Sequence, residues 1–292
     1  MPTTALAMIL LAALCHATWN LFLKQSKGGG IPYFWLVGCI ETLIYAPIAL
    51  WQMTTVAWRP DALSIVMMLG SALIHVAYFV FLDRGYRTGD LSVVYPLARA
   101  SGPLITIVAA VILLGERPAP VALAGALMIG AGAVLLSGNP LTMFSGGGRR
   151  SGSLRGIGFA LATGAMIAIY TVWDRQAVAA LLIPPVLYYW GSIILRVIVT
   201  TPVAWQAKRV VAEIWATQRR VLLVIAVLSP LSYCLALFAM KLAPLSYVAP
   251  AREISILIAA LYGTHLLKEG DVARRLGAAG LMVIGLTGIA LA

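Results

Sequence analysis

Ten runs of apolar residues follow one another along the chain, at about 4–23, 32–52, 62–82, 91–114, 119–137, 154–173, 184–205, 220–240, 245–267 and 274–292, each long enough to cross a bilayer as a helix. The runs are continuous. A transmembrane β-barrel would instead show alternating segments of about ten residues. Because a backbone in lipid must satisfy its own N–H and C=O groups, every run is predicted to be helical. The first run lacks a basic flank and a small-residue cleavage site, so it reads as a retained helix and not as a signal peptide.

Two polar interruptions stand out. Ser137 to Ser153, with Gly146-Gly147-Gly148-Arg149-Arg150, has the composition of a flexible linker and divides the spans five and five. Gln206 to Arg220 is different, because Val210, Val211, Ile214 and Trp215 recur at helical spacing among Lys208, Arg209 and Glu213. That pattern predicts a short helix lying in the membrane interface.

The two groups of five spans echo each other. Leu91-Ser92-Val93-Val94-Tyr95-Pro96 in span four returns as Leu245-Ser246-Tyr247-Val248-Ala249-Pro250 in span nine. With one residue dropped, Arg99 falls on Arg252 and Glu116 on Glu269, while Gly125 and Gly130 return at equal spacing as Gly280 and Gly285. Their shared order points to an internal duplication. Five is odd, so a fused second copy enters the membrane from the opposite face. The fold class expected is therefore an all-α membrane protein of ten transmembrane helices, in two inverted five-helix repeats (1–137 and 154–292, joined by 138–153) around a central cavity.

Composition sharpens this. Of 292 residues, 61% are hydrophobic and only 11% are charged, and mean hydropathy is +0.95. An ordinary soluble domain carries about 25% charged residues, so a soluble enzyme and a disordered chain are both excluded. The net charge of +11 does not mark a nucleic-acid binder, because Lys and Arg sit in the gaps between spans. Gaps after odd-numbered spans hold fourteen of them, including Lys24, Arg84, Arg87, Arg149, Arg150 and Lys208, against Arg59, Arg117, Arg175 and Lys241 in the others. Positive loops stay in the cytoplasm, which puts both termini outside. Cys15, Cys39 and Cys234 lie in apolar runs without metal-ligand spacing, and neither a metal nor another cofactor is expected.

Several strings resemble a known family. Cys15-His16-Ala17-Thr18-Trp19-Asn20-Leu21 in span one is similar to the His-x-x-Trp-Asn opening of EamA-type members of the drug/metabolite transporter superfamily. Gly89-Asp90-Leu91-Ser92-Val93-Val94-Tyr95-Pro96-Leu97-Ala98-Arg99 resembles that family's start of helix four, and Gly115-Glu116 its close, with Lys268-Glu269-Gly270 as the second-copy echo. The second copy departs from the first, with Met166, Ile169 and Tyr170 where span one has His16, Trp19 and Asn20. The resemblance implies a cavity lined by spans one, three, four, six, eight and nine, with two and seven peripheral and five packed on ten. It also implies a multi-pass protein of the cell membrane, the bacterial inner membrane in particular.

The candidate site is built on Arg99 and Arg252. A charge inside a span costs at least several kcal/mol, so it faces a wet cavity or a partner. Arg99 lies eight residues into span four and Arg252 seven into span nine. At roughly 1.5 Å per residue, entering from opposite faces, they reach within about 7 Å of one height near the midplane. Two guanidiniums there suit a carboxylate or phosphate. The alternative is that each is locked to a carboxylate such as Glu41 or Glu253. Pro96 and Pro250, one turn earlier, each free a backbone carbonyl.

Around this pair, His16, Trp19 and Asn20 lie within a turn of one another on span one, and His75 and Tyr78 share a face of span three. Tyr95 and Tyr170 are the aromatic residues deepest in their runs, whereas Trp35, Trp51, Trp58, Trp190 and Trp205 near helix ends read as an interfacial belt. The substrate-binding set expected is Arg99, Arg252, Asn20, Trp19, His16, Tyr95, Tyr170, His75, Tyr78 and Glu253. His16, His75, Glu41 and Glu253 are candidates for a coupling proton. No HExxH, GxSxG or Walker motif is present, which speaks against an enzyme and against ATP as the driver. The expected function is secondary transport of a small anionic or zwitterionic metabolite by alternating access. Export of amino acids or amphipathic drugs is the alternative. The partners are a small-molecule substrate and the bilayer, and the chain works as a monomer or a homodimer.

Overall fold

A computed structural model describes residues 1–26, 30–56, 58–89, 91–137, 154–267 and 272–292. The predicted linker 138–153, the Lys268-Glu269-Gly270 echo and the side chain of Pro96 lie outside the described residues. The helices are α1 (Thr3–Gln25), α2 (Gly30–Thr55), α3 (Ala62–Thr88), α4 (Leu91–Leu114), α5 (Pro120–Ser137), α6 (Leu154–Arg175), α7 (Pro185–Gln206), α8 (Lys208–Leu242), α9 (Leu245–Ala251), α10 (Ile254–Leu267) and α11 (Val272–Leu291). Among the described residues there is no strand, and seven helices are long and apolar enough to cross a membrane. The apolar stretches Pro120–Leu136 and Leu276–Leu291 are shorter. Leu43, Trp51, Ile112, Leu113 and Trp205 are between 66% and 74% exposed, as side chains facing lipid must be.

Two elements differ from expectation. The amphipathic stretch after Gln206 is not a separate interfacial helix: it forms the first turns of α8, which runs unbroken for 35 residues. No glycine or proline interrupts it between Lys208 and Ser229, so the hydrogen-bond ladder continues. At about 1.5 Å per residue, α8 is roughly 52 Å long against a hydrocarbon core of about 30 Å, so part of it stands in the headgroup region. Span nine is the reverse case. It breaks at Arg252 and Glu253 into α9 and α10, where tight bonds from Glu253 N–H to Pro250 C=O (3.0 Å) and Ser255 N–H to Arg252 C=O (3.2 Å) replace the α-ladder. Pro250, two residues earlier, brings no N–H to the ladder. α4 runs through Pro96 without a break.

The closest helix pairs are α5 with α11, α4 with α6, α1 with α8, α3 with α6 and α2 with α7. The α5–α11 seam is made of glycines: a Cβ at Gly125 would strike the Gly285 carbonyl, and one at Gly285 the Gly125 carbonyl. Elsewhere side-chain hydrogen bonds tie neighbours together. Trp35 Nε1 donates to Thr201 Oγ1 (2.9 Å) and Trp190 Nε1 to the Thr42 carbonyl (3.0 Å), so these two tryptophans join α2 to α7 and are not belt residues. Trp173 Nε1 donates to the Met67 carbonyl (2.8 Å), joining α6 to α3.

Candidate functional site

Two hollows meet at Arg99. The larger, about 660 Å³, lies between α1, α2, α3 and α4, and its walls carry Trp19, Asn20, Phe34, Tyr78, Phe79 and Tyr95. Its mouth is at the end of the bundle marked by Asp83, Arg84 and Arg87. That volume falls in the range of about 300–1,000 Å³ usual for small-molecule sites. The smaller hollow, about 30 Å³, continues inward among His16, Arg99, Tyr170, Arg252 and Glu253. Arg99 and His16 line both.

Nine of the ten predicted site residues therefore border these hollows. His75 does not. Its ring stacks on Tyr170 (centroids 4.3 Å apart) behind the small hollow, and its Nδ1 donates to the Ser71 carbonyl (2.8 Å). The α2 end at Gly30–Phe34 borders the larger hollow, so span two is less peripheral than the resemblance implied.

The charges are partly compensated. Arg99 Nη2 lies 3.1 Å from Glu253 Oε2, with both side chains mostly buried. Among the described residues, Arg99 Nε is buried without a hydrogen-bond partner, as is Trp19 Nε1. The break in span nine presents Arg252 and Glu253 side by side. Arg252 forms no ion pair among the described residues; its guanidinium lies over the Tyr233 ring, 5.5 Å from the centroid. Glu41 is not its partner. That carboxylate pairs with Arg196 of α7 at 3.3 Å. Asn20, which lines the larger hollow, spends one amide N–H on the His16 carbonyl (2.7 Å).

The opposite end of the bundle is tied shut. α4 stops at Leu114, Gly115 takes φ +66°, which only glycine adopts freely, and the Glu116 N–H closes back on the Ala110 carbonyl (3.1 Å). This turn aims the Glu116 carboxylate at the start of α9. It accepts the Leu245 N–H (2.8 Å) and the Ser246 N–H (2.9 Å), two of the donors a helix start leaves open. Arg175, from the end of α6, pairs with the same carboxylate at 3.3 Å.

Three charged groups of the interior escaped sequence reasoning. Arg196 sits mid-span in α7, where its burial cost should have marked it. Glu116 was read only as part of a motif. Asp174, one residue past the predicted end of span six, is fully buried and accepts the Tyr188 hydroxyl (2.6 Å) and the Tyr233 hydroxyl.

An all-helical, lipid-facing bundle that holds a deep hollow ending at buried charges defines a multi-pass membrane protein. Residues 3–138 match the model of the EamA-like transporter family. A solved crystal structure, described only as that of a protein, shares the fold with a TM-score of 0.76 at 17% identity, over 100% of this chain and 98% of its own. No curated protein matches the chain.

Proposed function

We propose that the protein is a secondary transporter of a small anionic or zwitterionic metabolite, bound at mid-membrane between two inverted five-helix repeats and moved by alternating access. The observation that carries the substrate class is Arg99, which stands where the two hollows meet with a buried Nε that has no partner among the described residues, and which shares the smaller hollow with Arg252, itself in no ion pair among them. Buried donors without acceptors are costly, and an anion between them removes that cost. Glu253 in the same hollow gives a zwitterion's ammonium its counter-charge.

The repeat reading, with halves 1–137 and 154–292, is supported by the helix pairs. Exchanging each span for the one five places away turns α3–α6 into α1–α8, α2–α8 into α3–α7, and α4–α6 into the packing of α1 on span nine, and all of these pairs occur. Alternating access is supported by the asymmetry of the ends, one open at Arg84 and Arg87 and the other tied at Glu116. With positive loops inside, the open end faces the cytoplasm of a bacterial inner membrane and both termini lie outside.

The test is a thermal-shift screen of the purified protein against carboxylates, phosphorylated metabolites, amino acids and cationic drugs, followed by proteoliposome uptake of radiolabelled hits by wild type, Arg99→Ala and Arg252→Ala. Loss of anion uptake in both variants supports the reading, and unchanged uptake overturns it. Export of amino acids or amphipathic drugs is favoured by one feature, the aromatic wall of Trp19, Phe34, Tyr78 and Phe79. Binding confined to amphipathic cations would select it.

A further inference from the structure

Asp174 is the buried charge that neither the hollows nor the tied end uses. It lies in α6 at 0% exposure and forms no ion pair among the described residues. A carboxylate in such a place is held only by strong donors, and here both donors are phenols on other helices, Tyr188 of α7 and Tyr233 of α8. The titratable and charged groups facing this cluster are His75 from α3, Tyr170 from α6, Tyr188 and Tyr189 from α7, Tyr233 from α8 and Arg252 from the break in span nine. Arg175, next in sequence, is engaged by Glu116.

The Tyr188 hydroxyl has a second acceptor. The Met67 carbonyl, which also accepts Trp173 Nε1 (2.8 Å), stands 3.3 Å away. The cluster therefore has two complete hydrogen-bond arrangements. With Asp174 ionised, both phenols donate to it. When a proton joins Oδ1, the new O–H donates to the Tyr188 oxygen, the Tyr188 proton turns to the Met67 carbonyl, and Oδ2 still accepts from Tyr233. The proton comes from solvent hydronium, whose O–H bond breaks as the Asp174 O–H forms, and Asp174, Tyr188 and Tyr233 each keep a hydrogen-bond partner.

Tyr233 joins this cluster to the hollow, since its ring lies under the Arg252 guanidinium while its hydroxyl holds Asp174. With Arg99 and Glu253 paired, the remaining opposed charges are Arg252 and Asp174. We propose that Asp174, clasped between the Tyr188 and Tyr233 hydroxyls behind Arg252, is a proton-binding site that couples proton movement to transport. The direction of coupling rests on the anionic-substrate reading. An anion at Arg252 takes over the balance of that guanidinium, Asp174 then takes up a proton, and proton and anion travel together.

The proton site is tested without any substrate. Full-length protein in nanodiscs is titrated from neutral to acid pH by infrared difference spectroscopy, as wild type, Asp174→Asn and Tyr188→Phe, each checked for fold by gel filtration. Expected are a carboxylic-acid band that rises with acid together with a tyrosine band, its loss in Asp174→Asn, and its retention without the tyrosine change in Tyr188→Phe. Identical carboxyl signals in wild type and Asp174→Asn overturn the proposal. Coupling is read by a thiol placed at Asn20→Cys in a background without native cysteines. Its labelling rate should change several-fold between neutral and acid pH, and stay at the acid value once Asp174→Asn is added. A rate that ignores pH overturns the coupling, whereas failure of the anion reading would show only in the uptake of the Arg99 and Arg252 variants.

Discussion

Glu116 and Arg175 meet at 3.3 Å across the end of the bundle remote from the larger hollow, and the same carboxylate holds the first two free amides of α9. One side chain thus joins the α4–α5 turn, the end of α6 and the start of the broken span. Glu116→Ala removes all three ties at once. The expected outcome is a lower melting temperature and, in a cysteine-free background, several-fold faster labelling of Ser246→Cys by a membrane-impermeant thiol reagent. Unchanged labelling would show that this end is closed by other contacts.

Arg99 and Glu253 form the second tie. Removing one partner of a buried pair typically costs about 3–5 kcal/mol, because it strands the other charge. Arg99→Ala alone should therefore lower the melting temperature strongly, and the double variant Arg99→Ala/Glu253→Gln should recover part of the loss. Transport should not recover with it if Arg99 meets the substrate as proposed, since its guanidinium is still missing. Recovery of both would reduce the pair to a structural element.

The Glu41–Arg196 pair serves as the contrast. It borders neither the larger hollow nor the small one at Arg252. Buried pairs can often be replaced by apolar residues of like size at no cost or with a gain of about 1–4 kcal/mol. Glu41→Leu/Arg196→Met should accordingly keep both stability and uptake, while Glu41→Leu alone should lose stability, as read by melting temperature in detergent.

These sites show how far the sequence could be read. The spans were legible because lipid accepts only self-satisfied apolar helices, and Arg99 and Arg252 because a charge in a span is conspicuous. The break in span nine was half legible: Pro250 announced it, but Pro96 at the matching place of α4 caused none. What stayed hidden was partnership. That Glu253 belongs to Arg99, Glu41 to Arg196, and Asp174 to two phenols depends on how separate helices turn toward each other, which no local pattern records. Asp174 was lost for a simpler reason, namely that α6 runs past Trp173 where the apolar run stops.

At the start of α3, Asp61 accepts the Ser64 N–H (2.8 Å) while its own N–H donates to Ser64 Oγ (2.9 Å), a reciprocal cap. These bonds hold the Asp61 carboxyl below its usual value of 3.8. The cap's contribution is therefore complete above the ordinary carboxylate range and is lost as pH falls through the lowered value. Amide exchange in the first turn of α3 should speed up only at such acid pH in wild type, and should be fast and independent of pH-linked capping in Asp61→Ala.

The α5–α11 seam makes the sharpest steric prediction. Gly125→Ala or Gly285→Ala sets a methyl against a carbonyl, whereas Gly130 has open space where its Cβ would be. The first two should lower the melting temperature, and Gly130→Ala should leave it unchanged or raise it, since alanine's helix preference adds up to about 0.8–1.0 kcal/mol of stability.

The same seam bears on how the molecule can move. Two backbones in carbonyl contact leave no room for either helix to slide or roll against its neighbour, so α5 and α11 behave as a single stiff post. In the alternating-access cycle proposed above, the remaining helices would turn about that post, and the substrate would pass on the side away from it.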